Sequence, residues 1–303
     1  MSLETVSHGF RAMGTSVTLI ADADADPGLW ADAVGIVDLV FTRNERRFSR
    51  FRGESELTRV NGRTGRWTRV SPDFAALAGY ALEAARRSGG LFDPTVLPAM
   101  IAAGYDRDFD ELIAGARGVL NPPVPCGRWR EVLLDGDLLY LPEGVGLDFG
   151  GVGKGWTVDL AAEAAVSAVG LSWAVVNAGG DLRIAGTAPR GGVQVGVEDP
   201  EDHDRELWRL TLSVGALATS SITTRSWGPG SHHLIDPRTG ESAANGVLQA
   251  TVWAETCAEA EVRSKWALLE GPPALEHTSA VLVTDDGRIL MNLETEDLAE
   301  VGA

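Results

Sequence analysis

Leu147-Asp148-Phe149-Gly150-Gly151-Val152-Gly153-Lys154-Gly155 follows a short strand-like run and opens a long, Ala-rich apolar helix pattern. That layout is one of anion binding. Glycines let the backbone approach a phosphate, and the unpaired N–H groups of a helix start point at it. Lys154 adds a mobile positive charge. The run is not a Walker A loop: its glycines are too closely spaced, and Gly155 stands where Ser or Thr would bind Mg²⁺. Nor can G-x-G-x-x-G be laid over it. A Gly-rich helix entrance with one Lys is also ordinary structure, so the run by itself leaves both readings open.

Two further segments bear on it. Residues 219–240 read TSSITTRSWGPGSHHLIDPRTG, which crowds His232, His233, Asp236 and Arg238 into one stretch with turn chemistry at its end. Asn177-Ala178-Gly179-Gly180-Asp181 follows the apolar run Trp173–Val176. Met13-Gly14-Thr15, Phe48-Ser49-Arg50-Phe51, Ser55-Glu56-Leu57, Asn61 and Phe92-Asp93-Pro94-Thr95-Val96 precede them. In this order the motifs resemble the ApbE-type FAD:protein FMN transferases, from about Gly14 to Gly271. The pair D-x-G-G-x-x-K-G and H-x-I-D-P-x-T-G is the specific part.

Elsewhere the chain reads as follows. Met13–Ala21 alternates as a strand, and Asp26-Pro27 starts a helix running to about Arg47. Ser49–Arg66 reads as a polar loop. Ser71-Pro72-Asp73 starts a helix that Ser88-Gly89-Gly90 stops, and Pro94–Gly104 is helical again. Asn121-Pro122-Pro123-Val124-Pro125 is a stiff, linker-like loop. Val132–Leu134 and Leu138–Leu141 flank a hairpin turn, and Val152–Val169 is a helix. Strands follow at Ala174–Asn177, Leu182–Ala185, Val193–Val197, Leu207–Val214 and Leu248–Trp253. Glu255–Leu269 is a helix, and Ala280–Thr284 with Arg288–Met291 forms a closing hairpin. Strands and helices do not alternate strictly, so the class is α+β, with mixed or antiparallel sheets flanked by helices. The resemblance implies the same ApbE-like fold. The expected organisation is a single unit over 1–303, or two interleaved α/β subdomains with a break near 121–130.

Bulk properties limit the partners. The 303 residues are 44% hydrophobic and 23% charged, with a formal net charge of −17. Such acidity opposes binding to nucleic acid or to an anionic membrane surface. Arg43, Arg46, Arg47, Arg50 and Arg52 form a local exception. They suit a helix C-terminus, and some suit nucleotide phosphates. Cys126 and Cys257 have no ligand spacing. Met1–Val6 has no basic n-region, apolar h-region or lipid-acceptor Cys, and no run is long enough to span a membrane. Many members of the resembled family are exported or lipid-anchored. The expectation here is a cytoplasmic chain, or one whose export signal has been removed.

The resemblance implies a reaction. A Ser or Thr hydroxyl of an acceptor protein attacks the flavin-side phosphorus of FAD, and AMP leaves. It assigns Gly150, Gly151 and Lys154 to the pyrophosphate, and Met13, Phe51, Glu56, Asp93, Asp181 and Thr219 to flavin and nucleotide. Phe51 stands where relatives commonly carry Tyr. His233 matches the general base, while His232 points the other way if the segment is extended. Asp93 and Asp181 also read as plain turn residues. The resemblance further implies Mg²⁺, held by the Gly153 carbonyl, an Asp and a downstream Thr. Those last two positions are Glu261 and Lys265 here. Glu can bind Mg²⁺; a protonated Lys cannot. Glu261 and Lys265 are then either a helix salt bridge at i,i+4 spacing or a site whose ammonium replaces the metal. Two further readings keep the scaffold and change the chemistry: a non-catalytic FAD-binding protein, and an FAD pyrophosphatase giving FMN and AMP.

Overall fold

The computed structural model describes residues 4–114, 121–228, 230–292 and 298–301. Met1, Ser2 and Leu3 of the N-terminal reading, and Pro229 of the His-containing segment, lie outside them. The chain divides into two compact units: 1–43, 154–221 and 246–303 form the first, and 44–153 with 222–245 the second. The Pro-rich stretch at 121–125 lies inside the second unit. The class is α+β.

The first unit is built on an eight-stranded sheet. In spatial order its strands are Thr5–Ala12, Thr15–Asp22, Trp173–Ala178, Asp181–Gly186, Gly215–Ser221, Val247–Ala254, Ala280–Thr284 and Ile289–Asn292. Every neighbouring pair is antiparallel. Both faces are buried, which is why Trp173–Ala178 is apolar without alternation. Ala174, Val176 and Ala178 face a core with Val37 and Phe41 of helix Pro27–Phe48 and Val158, Ala161 and Ala165 further along. Trp173 and Val175 face Trp208, Leu210 and Leu212 on the other side. Those three belong to a three-stranded sheet of Val193–Glu198, Glu206–Leu212 and Leu298–Val301. Burying each of the Val, Leu and Phe side chains contributes roughly 1.5–3 kcal/mol, and each Ala less.

Two hairpin turns in this unit need positive φ. Met13 and Gly14 have φ of 51° and 69°, and Gly179 and Gly180 have 62° and 93°. Each joins its strands through two residues, as the Ala12–Thr15 and Ala178–Asp181 pairs show. Two successive residues at φ > 0 give the strands the twist that a two-residue hairpin requires. The turn at Met13-Gly14 corrects the expected strand: it runs over Thr15–Asp22, and Thr5–Ala12 is a further strand before it. Gly215–Ser221 is likewise a separate strand, after a bend at 213–214 that ends Glu206–Leu212.

The second unit holds helices Glu56–Asn61, Pro72–Arg87, Leu97–Ala102 and Phe109–Ala114. Its three-stranded sheet places Leu138–Leu141 between Arg66–Arg69 and Leu133–Asp135. Ser71 caps Pro72–Arg87 by accepting the Phe74 N–H at 3.3 Å. Helix Glu56–Asn61 replaces part of the expected loop, because the Ser55 hydroxyl caps it through the Thr58 N–H at 3.0 Å. Two short hairpins follow, Ser226–Gly228 with Ser231–His232 and Ile235–Asp236 with Glu241–Ser242. No helix of the described residues is long and apolar enough to cross a membrane.

Candidate functional site

In the first unit Lys154 stands in the first turn of helix Gly153–Glu163. The Lys154 ammonium is in contact with the Asp181 carboxylate and lies 3.3 Å from Glu261 Oε1. Lys265 Nζ lies 3.2 Å from the same oxygen. Glu261 Oε2 accepts the Gly155 N–H at 2.8 Å. Four formal charges therefore meet and cancel: two carboxylates and two ammonium groups. Asp181 is 1% exposed and Glu261 fully buried. Burial pushes both carboxyls up. For Asp181 it outweighs the Lys154 charge, and the group stands above its ordinary value. For Glu261, Lys154, Lys265 and the Gly155 N–H overcome burial and hold it below.

Local backbone explains the approach. Helix Cys257–Glu270 starts against helix Gly153–Glu163, and a Cβ added at Gly155 would lie 2.4 Å from the Cys257 carbonyl oxygen. Only glycine fits there. Asp159 accepts the Cys257 and Ala258 N–H groups at 2.8 and 2.9 Å, so one helix caps the next. Thr256 accepts the Glu259 N–H as a second cap.

Met13 and Thr219 lie at the same end of the sheet. The Gly179 turn abuts Thr15, and Gly180 sits against Thr219, whose hydroxyl pairs with Thr251 at 2.9 Å. Lys154, Asp181, Glu261 and Lys265 thus form one charged cluster, and Met13 and Thr219 stand in the same unit, at the end of the sheet where Asp181 begins its strand.

The remaining candidates belong to the second unit. Gly150 donates its N–H to Asp148 Oδ1 at 2.6 Å, and Asp148 Oδ2 holds Arg50 Nε at 2.7 Å. The Arg50 guanidinium lies over the Phe51 and Tyr105 rings at 4.1 and 4.5 Å and donates to the Tyr105 carbonyl at 2.9 Å. Tyr105 in turn stacks on Trp227 at 5.1 Å. The sequence points to Arg50 only as one of a cluster of arginines, and gives Asp148, Tyr105 and Trp227 no role. The signal for Arg50 and Asp148 was present in the quoted motifs, whereas nothing local pairs Tyr105 with Trp227. Two other arginines of the cluster also meet carboxylates: Arg47 reaches Asp73 and Glu56, and Arg52 reaches Glu45.

Asp93 and Glu56 have internal work. Asp93 accepts the Thr95 N–H and hydroxyl on one oxygen and the Gly127 N–H on the other. Glu56 accepts the Ser71 N–H and hydroxyl at 2.7 and 2.6 Å. The two histidines differ: His232 ends the strand Ser231–His232, and His233 lies in the bend after it. His232 is buried; its Nε2 donates to the Ala243 carbonyl at 2.9 Å and its Nδ1 accepts the Leu234 N–H at 3.3 Å. His233 is half-buried, with its backbone N–H on the Arg225 carbonyl.

Residues 13–281 match the sequence profile of the ApbE family. The chain belongs to the ApbE family. It is 28% identical over 308 residues to the FAD:protein FMN transferase of Rhodobacter capsulatus, covering 95% of this chain and 57% of that protein. With the FAD:protein FMN transferase of Vibrio cholerae it shares 26% identity over 271 residues, 86% of this chain and 79% of the relative. This ApbE family member thus spans little more than half the length of the first relative. Its fold is like that of the ApbE protein from Thermotoga maritima, with a TM-score of 0.81 at 24% identity over 95% of this chain and 97% of that one. The flavin transferase ApbE from Vibrio cholerae aligns with a TM-score of 0.77 at 22% identity, again over 95% and 97%.

The donor set does not fit the Mg²⁺ that the family implies. Both Glu261 oxygens are engaged by N–H donors, two of them cationic. Mg²⁺ demands an octahedron of oxygens. Among the described residues, no three His, Cys, Asp or Glu side chains are grouped to hold a metal.

Proposed function

We propose that this chain is an FAD:protein FMN transferase. The observation that carries the reading is that two relatives of that activity align over 95% and 86% of the chain. In the reaction, the oxygen of an acceptor Ser or Thr hydroxyl bonds to the flavin-side phosphorus. The pyrophosphate bond breaks, and AMP leaves with the bridging oxygen. His233 takes the hydroxyl proton; it lies one residue from the buried, fully engaged His232 and is the more accessible of the two. Gly150, Gly151 and Lys154 serve the pyrophosphate. Asp181 and Glu261 hold the Lys154 ammonium in place, and with Lys265 they make a neutral group, so two bare carboxylates do not repel the incoming anion. Phe51, with Arg50 over its ring, offers a stacking face for a flavin or adenine ring. Met13, Glu56, Asp93 and Thr219 complete the nucleotide side.

The test is incubation with FAD and a protein bearing a Ser/Thr flavinylation motif, with and without Mg²⁺. Covalent in-gel flavin fluorescence together with released AMP is the expected result. AMP and FMN without label would make the protein a pyrophosphatase. Tight FAD binding with no products would make it a binding protein.

A further inference from the structure

We propose that Lys265 carries, as a fixed ammonium, the positive charge that a divalent ion supplies in relatives, so that this chain binds FAD without a divalent cation. The choice of ligand rests on the transferase reading; the cation site does not. Glu261 is the centre of the argument. It is fully buried, and its Oε2 is spent on the Gly155 N–H. Its Oε1 lies 3.3 Å from Lys154 and 3.2 Å from Lys265. Lys265 Nζ also lies 3.4 Å from the Glu261 backbone carbonyl, so the ammonium is held by main chain and side chain together.

Charge balance decides between lysine and metal. Asp181, Glu261, Lys154 and Lys265 sum to zero in a site shielded from water. A divalent ion entering here either adds two charges to a neutral, buried group or displaces an ammonium and leaves the group at plus one. Both are costly in a desolvated site. The i,i+4 spacing makes the substitution self-consistent. Glu261 and Lys265 share one face of helix Cys257–Glu270 in the favourable Glu-then-Lys order. Removing the Lys265 charge reverses the balance. The remaining three groups then sum to minus one, and a Thr at that position offers a neutral oxygen beside a buried carboxylate, which suits Mg²⁺.

The experiment titrates the FAD-free protein with Mn²⁺, read by electron paramagnetic resonance of the free ion, and measures FAD affinity with and without EDTA. The unmodified chain is expected to show no Mn²⁺ uptake that Glu261→Gln abolishes, and the same FAD affinity in EDTA. Lys265→Thr combined with Glu261→Asp should gain one Mn²⁺ site and a rise in melting temperature with Mg²⁺. Lys265→Met should bind FAD roughly tenfold more weakly, the loss of one charge-assisted contact, and Mg²⁺ should not restore it. One equivalent of Mn²⁺ bound to the unmodified chain and lost in Glu261→Gln would overturn the proposal, as would unchanged FAD affinity in Lys265→Met. Absence of FAD binding under every condition would instead sink the transferase reading, and the Mn²⁺ titration would still judge the cation site.

Discussion

Glu261 closes the first turn of a helix to which it does not belong, accepting the Gly155 N–H at 2.8 Å. A helix start presents unpaired donors and positive dipole ends, so a carboxylate there is well placed. The same carboxylate holds two ammonium groups. Backbone donor, lysine pair and buried acid are therefore one electrostatic group, and changing one member changes the demands on the others.

Lys154→Met should unfold more readily. It leaves Asp181 and Glu261 buried with only Lys265 to offset them, and breaking a buried pair from one side costs about 3–5 kcal/mol. Urea denaturation of the variant beside the unmodified protein checks this. An unchanged midpoint would mean the quartet contributes nothing to the fold.

His233→Ala should slow FMN labelling by about 10²–10⁴-fold with FAD affinity near normal, as expected for a lost general base. His232→Ala should do the opposite. It orphans the buried Leu234 N–H and Ala243 carbonyl, so stability should fall by about 1–3 kcal/mol while labelling persists in the folded fraction. Exchanged phenotypes would assign the wrong histidine.

Acid should weaken the fold through His232. Burial is the main cause of its lowered pKa, and the Ala243 hydrogen bond opposes it only in part. The Leu234 N–H needs an unprotonated Nδ1. A folded pKa below the unfolded value means stability fully present above about pH 6.5 and lost as pH falls from there through the folded pKa. Melting temperature against pH, compared with His232→Gln, isolates this contribution; identical slopes would remove it.

Gly155→Ala should be poorly folded, since its Cβ would meet the Cys257 carbonyl oxygen at 2.4 Å. Overpacking of this kind typically costs about 1–3 kcal/mol, and backbone yields less readily than a side chain. Gly53→Ala, with nothing within 4 Å, is the control and should melt like the unmodified protein.

Neither thiol should react quickly in the folded protein. Burial, with Asp93 and Asp236 nearby, pushes the Cys126 thiol up to about 12. Cys257 is fully buried beside Asp181, Asp159 and Glu261, and stands well above its ordinary value. The thiolate is the reactive form. Iodoacetamide at pH 8 should label both only after denaturant is added, and rapid native labelling of Cys126 would contradict its environment.

What the sequence made legible follows from how local each signal was. Ser71-Pro72 and Ser88-Gly89 bracket a helix that the structure places at Pro72–Arg87, because caps act within a few residues. The hairpin at Asp286-Gly287 was readable for the same reason. Met13-Gly14 reads as strand in the sequence, since a non-Gly residue at φ 51° leaves no compositional mark. Helix Glu56–Asn61 is hidden in a polar stretch because it has only six residues to show periodicity. At the candidate site, the spacing of Glu261 and Lys265 predicts their ion pair. The arrival of Lys154 and Gly155 at the same carboxylate depends on two helix starts meeting across the fold, and no local pattern encodes that.

Lys154 and Glu261 are 107 residues apart in the chain. Between them the chain adds four strands to the sheet, Trp173–Ala178, Asp181–Gly186, Gly215–Ser221 and Val247–Ala254. Synthesis runs from the N-terminus at about 5–20 residues per second, so Lys154 leaves the ribosome roughly 5–20 s before Glu261, its second counter-ion, exists. For that interval the Gly-rich helix start is an unfinished surface on the nascent chain. The strand that carries Asp181 is made first, and the helix that carries Glu261 and Lys265 closes the charged group only afterwards.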